Sequence, residues 1–232
     1  MKLSTIDYRL STKLILALDV DSLAKAKYFV HKLYPKIKIF KVGAQLFTGC
    51  GHKVIEFIRK KGAEVFLDLK FFDIPKVVAS AVRQAVRLRV KMLTLHILGD
   101  EEMLKEAVKA AREEAARLKV KRPLLVGVTV LTSKEAVSND VLTLAKMGIE
   151  TGLDGVVCSA REAALLKKEI KKKFVVVTPG IRPGQVNSDD QKRTATVTQA
   201  IQAGSDFLVI GRPILEAKNP VLITQEIIKS LQ

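Results

Sequence analysis

The sequence predicts an α/β chain closed into a (β/α)8 TIM barrel, one domain over residues 1–232. Three observations carry that prediction. Short apolar, β-branched runs alternate with longer charged amphipathic segments, and the alternation occurs eight times. Strands of this kind, covered by helices, form parallel sheets, and eight such units close naturally into a barrel. No Gly-x-Gly-x-x-Gly follows the first strand, so the runner-up, a doubly wound dinucleotide-binding sheet, lacks its fingerprint. There is also no composition break or linker to divide the chain.

The elements follow in order. Lys13 to Asp19 is an apolar run ending in an acid, the first strand. Ser22 caps a helix reaching about Leu33. Ile37 to Gly43 is the second strand, with Lys41 near its end, and a helix covers roughly Leu46–Lys61. Val65-Phe66-Leu67, after Lys-Gly-Ala, is a buried strand entered from a turn, and its helix covers about Val77–Arg89. Lys91 to His96 is strand four, and Asp100 to Leu118 a long helix rich in Ala, Glu and Lys. Pro123 to Val130 is strand five, ending at Leu131-Thr132-Ser133, with a helix from about Asn139 to Thr151. Gly155 to Cys158 and Ala160–Lys171 form the sixth unit. Phe174 to Thr178, ending at Pro179-Gly180, is strand seven. A long loop from Ile181 to Arg193 and a helix over Thr196–Ala203 follow. Phe207 to Arg212 is strand eight, and Pro213 opens the last helix.

Hydrophobic residues make up 48% of the 232 positions, which suffices for a sizeable core. No apolar run is long enough to span a membrane, and the polar start, Met1 to Thr12, lacks a signal core; a cytoplasmic protein is expected. Cys50 and Cys158 lie far apart and match neither a metal spacing nor a disulfide framework. The net charge of +16 suggests an anionic partner: nucleic acid, membrane surface or a phosphorylated small molecule. However, the basic runs fall on expected helices, where a solvated face is their commoner meaning. With no Trp and no basic stretch interleaved with aromatics, neither nucleic acid nor membrane is the expected partner.

The chemistry is concentrated at strand ends, which a barrel gathers at one mouth. Asp68, Lys70 and Asp73 follow strand three before the break at Ile74-Pro75. Side chains alternate along a strand, so Asp68 and Lys70 share a face. Burying ions is costly unless they are paired, and a structural ion pair is the bland alternative. Asp19, Lys41, His96, Thr132, Pro179-Gly180 and Gly211-Arg212 occupy other strand ends. His96, alone, reads as a core residue. Gly211-Arg212 before a helix suits a phosphate, as opposed to a turn glycine beside a surface arginine. The long Ile181–Arg193 loop suggests a lid whose Arg182 and Gln191 clamp that phosphate. Lysines interleaved with the acids compete with a metal for them, so no metal is expected.

Asp68-Leu-Lys70-Phe-Phe-Asp73-Ile-Pro75 resembles the signature of the orotidine 5′-phosphate decarboxylase family. Further matching stretches are Leu16 to Asp19, Phe40 to Gly43, Val130 to Thr132, Thr178 to Arg182, Asp190 to Arg193 and Val209 to Arg212, so the resemblance spans nearly the whole chain. It implies decarboxylation of orotidine 5′-monophosphate to UMP without cofactor, in a homodimer with shared active sites. It further implies that Lys70 protonates C6, that Asp68 lies near the departing carboxylate, and that Lys41 bridges the charge network and the ribose. Asp73 would enter from the partner subunit, Asp19 would bind a ribose hydroxyl and Thr132 would face the pyrimidine. Arg182, Gln191, Gly211 and Arg212 would hold the phosphate, and Ile74, Val77 and Pro179 would line the substrate. The family usually has His at Phe72 and Asn-Thr at Lys76-Val77. It also differs at Asp189 and at the stretch after His96. A related metal-dependent sugar-phosphate decarboxylase or aldolase is the alternative reading. A basic nucleic-acid binder gives no reason for Asp68, Lys70 and Asp73.

Overall fold

The computed structural model describes residues 12–130, 138–183 and 194–231. Eight parallel strands close a barrel: β1 (Leu14–Ala17), β2 (Ile39–Gly43), β3 (Glu64–Phe71), β4 (Met92–His96), β5 (Leu124–Val128), β6 (Gly155–Val157), β7 (Val175–Thr178) and β8 (Phe207–Ile210). Each pairs with its sequence neighbour, and β8 closes on β1 through Leu14 with Leu208 and Leu16 with Ile210. The predicted barrel is therefore observed.

The apolar strands have two buried faces. Ile15, Ala17, Ile39, Phe66, Met92, Val126, Val177 and Val209 fill the barrel interior. Their alternating neighbours, such as Leu14, Leu16, Phe40, Val65 and Leu67, pack outward under the helices. This is why the strands read as continuous hydrophobic runs.

Several boundaries differ from expectation. The helix expected over 46–61 is two, Ala44–Cys50 and His52–Lys60, broken at Gly51, whose φ of 57° and ψ of −147° suit glycine. The third strand runs on to Phe71, well past Leu67. Its helix starts at Pro75 and ends at Arg87; a proline at the first helical position loses no hydrogen bond. After β8 comes only one turn, Arg212–Leu215, and the main C-terminal helix is Pro220–Lys229, capped by Asn219. Ile181–Arg182 pairs with Ala195–Thr196 in a small separate ladder. Of the loop expected between them, 184–193 lies outside the described residues.

Candidate active site

The strand-three stretch shows how local sequence builds the site. Leu67, Leu69 and Phe71 pack into the outer core, so Phe66, Asp68 and Lys70 face inward. Pairing with β4 shifts register between Leu67 and Phe71, and Lys70 has a φ of 50°. A non-glycine residue there is strained, and such strain persists only where neighbours hold it. The holder is Thr94 of β4. Its buried hydroxyl accepts the Lys70 backbone N–H at 2.8 Å and donates to Asp68 Oδ1 at 3.0 Å.

The charges form a continuous chain. Lys41 Nζ lies 3.0 Å from Asp19 Oδ1 and 3.5 Å from Asp68 Oδ2. Lys70 Nζ lies 2.9 Å from Asp68 Oδ1. Lys41 is thus the lysine held between two carboxylates. Lys70, in contrast, meets Asp68 alone among the charged groups of the described chain. The side chains of Lys41 and Asp68 are only 12% and 14% exposed, that of Lys70 38%. Burial opposes the charge on Lys41, yet Asp68 and then Asp19 outweigh it and hold its pKa above the ordinary lysine value. Burial likewise opposes the charge on Asp68, but Lys41, Lys70 and the Thr94 hydroxyl hold its pKa below the usual carboxylate range. Both groups stay ionised.

These groups open into a cavity of about 540 Å³ at the carboxyl ends of the strands. Asp19, Lys41, Asp68, Lys70, Pro179, Arg182, Gly211 and Arg212, all expected from the sequence, line it. Val128, Val130, Val157, Val177 and Val209 give it an apolar wall. One end is therefore anionic and cationic in alternation. The other end carries two arginines beside a glycine whose added Cβ would sit 3.4 Å from Ala17 Cβ and 3.5 Å from Asp19 Oδ2.

Other expectations fall elsewhere. Thr132 and Gln191 lie outside the described residues. Asp73, Ile74 and Val77 do not line this cavity; the Asp73 carboxylate accepts the Ile74 N–H at 2.7 Å. Phe72, Ile74, Val77 and Leu98 are instead large apolar side chains left exposed, Ile74 by 64%. Phe72 and His96 rings meet at a 5.6 Å centroid separation, so His96 is tied to this surface. Two site residues escaped the sequence reading. Thr94 sits inside a plain strand, and Glu216 enters the cavity only because the last turn after β8 is so short. Only tertiary register reveals the first; a strand-end inventory extended one turn would have found the second.

Among the described residues there is no cluster of three or more His, Cys, Asp or Glu able to hold a metal. Asp19 and Asp68, the acids of the charge chain, are both engaged by ammonium groups, which a divalent ion would have to displace.

Residues 12–227 match the family model described as "Orotidine 5'-phosphate decarboxylase / HUMPS family". An orotidine 5′-phosphate decarboxylase of Syntrophotalea carbinolica is 46% identical over 230 residues, covering 94% of this chain and 94% of that protein. One from Vibrio cholerae is also 46% identical, with 94% and 98% covered. Among solved structures, the orotidine 5′-phosphate decarboxylase of Lactobacillus acidophilus superposes with a TM-score of 0.83 at 33% identity, covering 95% of this chain and 99% of that one.

Proposed function

The chain belongs to the orotidine 5′-phosphate decarboxylase / HUMPS family, and we propose that it converts orotidine 5′-monophosphate to UMP and CO2 without a metal or cofactor. The observation that carries this reading is the Asp19–Lys41–Asp68–Lys70 chain at the mouth of the barrel.

In this mechanism the C6–carboxylate bond breaks with its electron pair left on C6, and CO2 departs. The ring offers that carbanion no adjacent electron sink. A fixed ammonium must stabilise it and then protonate it, which is the role of Lys70; solvent restores the Lys70 proton. Asp68 stands near the departing carboxylate and aims Lys70. Lys41, locked between Asp19 and Asp68, links that pair to the ribose, and Asp19 accepts from a ribose hydroxyl. Arg182, Gln191, Gly211 and Arg212 hold the phosphate, whose binding energy is available to orient the remote reacting carbon. Thr132 and Pro179 border the pyrimidine.

Asp73, Ile74 and Val77 act across a homodimer interface in this reading, Asp73 supplying the second carboxylate beside the partner's lysine. The exposed apolar surface at Phe72, Ile74, Val77 and Leu98 supports a covered face there.

The test follows the substrate's ultraviolet absorbance. Lys70→Ala should nearly abolish the decrease, and a chelator should leave the wild-type rate unchanged. Activity lost on chelation, or retained by Lys70→Ala, would overturn the proposal in favour of the metal-dependent relatives. Mixing Lys70→Ala with Asp73→Ala should restore about a quarter of the wild-type rate, because about half of the dimers are then mixed and each mixed dimer carries one intact site of two.

A further inference from the structure

We infer that the opposite end of the barrel holds a second anion site, suited to an organic polyphosphate. At the amino ends of the strands lies an open cavity of about 600 Å³ lined by Arg59, Arg89, Lys91, Lys119, Lys121 and Arg122. Lys91 pairs with Glu64, and Arg122 makes a fork with Asp154 through contacts of 2.9 and 2.5 Å. Arg59, Arg89, Lys119 and Lys121 have no ion pair among the described residues. Four uncompensated cations around one concavity raise its local potential and call for two or more negative charges. Val120, Leu124 and Phe207 give the same cavity an apolar floor, which a bare inorganic ion would leave unused.

A second, independent observation comes from the backbone. Among the described residues five helices that lead back to the barrel end on a left-handed residue, and at Gly62, Gly152 and Gly204 the chain uses glycine, the residue that adopts this conformation without strain. At two such ends, both in this cavity, it uses Arg89 (φ 51°) and Lys119 (φ 52°) instead. Both side chains are exposed. The fold tolerates strain at two neighbouring turns and gains only cations there, which fits a ligand and not a solvated helix face.

The experiment is calorimetric titration of the full-length protein at low ionic strength with ATP and with inorganic tripolyphosphate. Arg212→Ala, which removes a cation from the other mouth, should retain the binding. Arg89→Gly/Lys119→Gly should weaken it at least about tenfold, as for two lost charge-assisted contacts. The same variant should melt no lower than wild type and keep its decarboxylase rate. Arg89→Gln/Lys119→Gln, which removes charge alone, should reproduce the loss. Unchanged affinity in either double variant, or loss in Arg212→Ala, would refute the site. Binding of tripolyphosphate as tight as that of ATP would refute the organic part. Tighter binding of a mixed-sequence single-stranded RNA, lost in the same variants, would refute the small-molecule assignment.

Discussion

Thr94→Val isolates the support of the proposed catalytic pair, because valine keeps the shape and removes only the hydroxyl. In the wild type that hydroxyl accepts the Lys70 N–H at 2.8 Å and donates to Asp68 at 3.0 Å, at a position 1% exposed. Its loss strands a buried amide at a residue with φ of 50°, which costs about 1–3 kcal/mol. For a chain of this length that lowers Tm by roughly 2–12 °C. The larger effect should be kinetic. With the β3 bulge released, the Lys70 ammonium loses its aim at a charge that exists only in the transition state. A loss of about 1.4–2.7 kcal/mol there reduces kcat by about 10- to 100-fold with little change in KM. The pH profile adds a signature that simple destabilisation lacks. Asp68 has a depressed pKa, so its ionised form is present above the ordinary carboxylate range and is lost as pH falls through the folded value. Removing a hydrogen bond to the ionised form raises that pKa, so the acid limb of kcat/KM should move to higher pH. Thr94→Ser, which keeps the hydroxyl, should restore both the rate and the limb. Absorbance-based kinetics and thermal melts read all of this. If Thr94→Val matched wild type in kcat, acid limb and Tm, the idea that β4 holds the β3 bulge would be wrong.

Three further outcomes are expected. Gly155→Ala should prevent folding or lower Tm sharply, because the added Cβ would lie 2.2 Å from the Val175 carbonyl oxygen and the β6–β7 backbones would have to part; expression and melting check this. Glu114→Gln concerns acid stability. Hydrogen bonds from Arg117 and Arg87 hold the Glu114 pKa down to about 2, so its contribution is present above its ordinary value of 4.5 and fades as pH falls towards 2. Melts between about pH 4.5 and 2 should therefore show a steeper decline in wild type than in the variant. Val77→Thr restores the hydroxyl usual in the family, and in the proposed dimer it should lower KM about 2- to 10-fold, the worth of one hydrogen bond; an unchanged KM would place residue 77 away from the substrate.

The barrel was legible because its evidence is local and repeated. Eight apolar runs and their helical partners each carry their own period, and an error at one boundary leaves the others standing. The cluster Asp19, Lys41, Asp68, Lys70 and Arg212 was legible for a related reason: strand ends converge whatever the details of packing. What the sequence hid depends on register. The extension of β3 to Phe71 needs the left-handed Lys70, and nothing in Asp-Leu-Lys-Phe announces a positive φ. Thr94 looks like any buried β-branched strand residue until β4 is set beside the bulge. Within one chain the lysine between two carboxylates is Lys41, and the second carboxylate proposed for Lys70, the partner's Asp73, belongs to the dimer. The difference is informative. Lys41 is buried between opposite charges that immobilise it, which suits a structural and electrostatic role. Lys70 is more exposed and, within one chain, pairs with Asp68 alone, so its ammonium faces the cavity. Within one chain the two lysines therefore differ: Lys41 is enclosed by its partners, and Lys70 stays open to the cavity, where the proposed dimer would bring the partner's Asp73 to it.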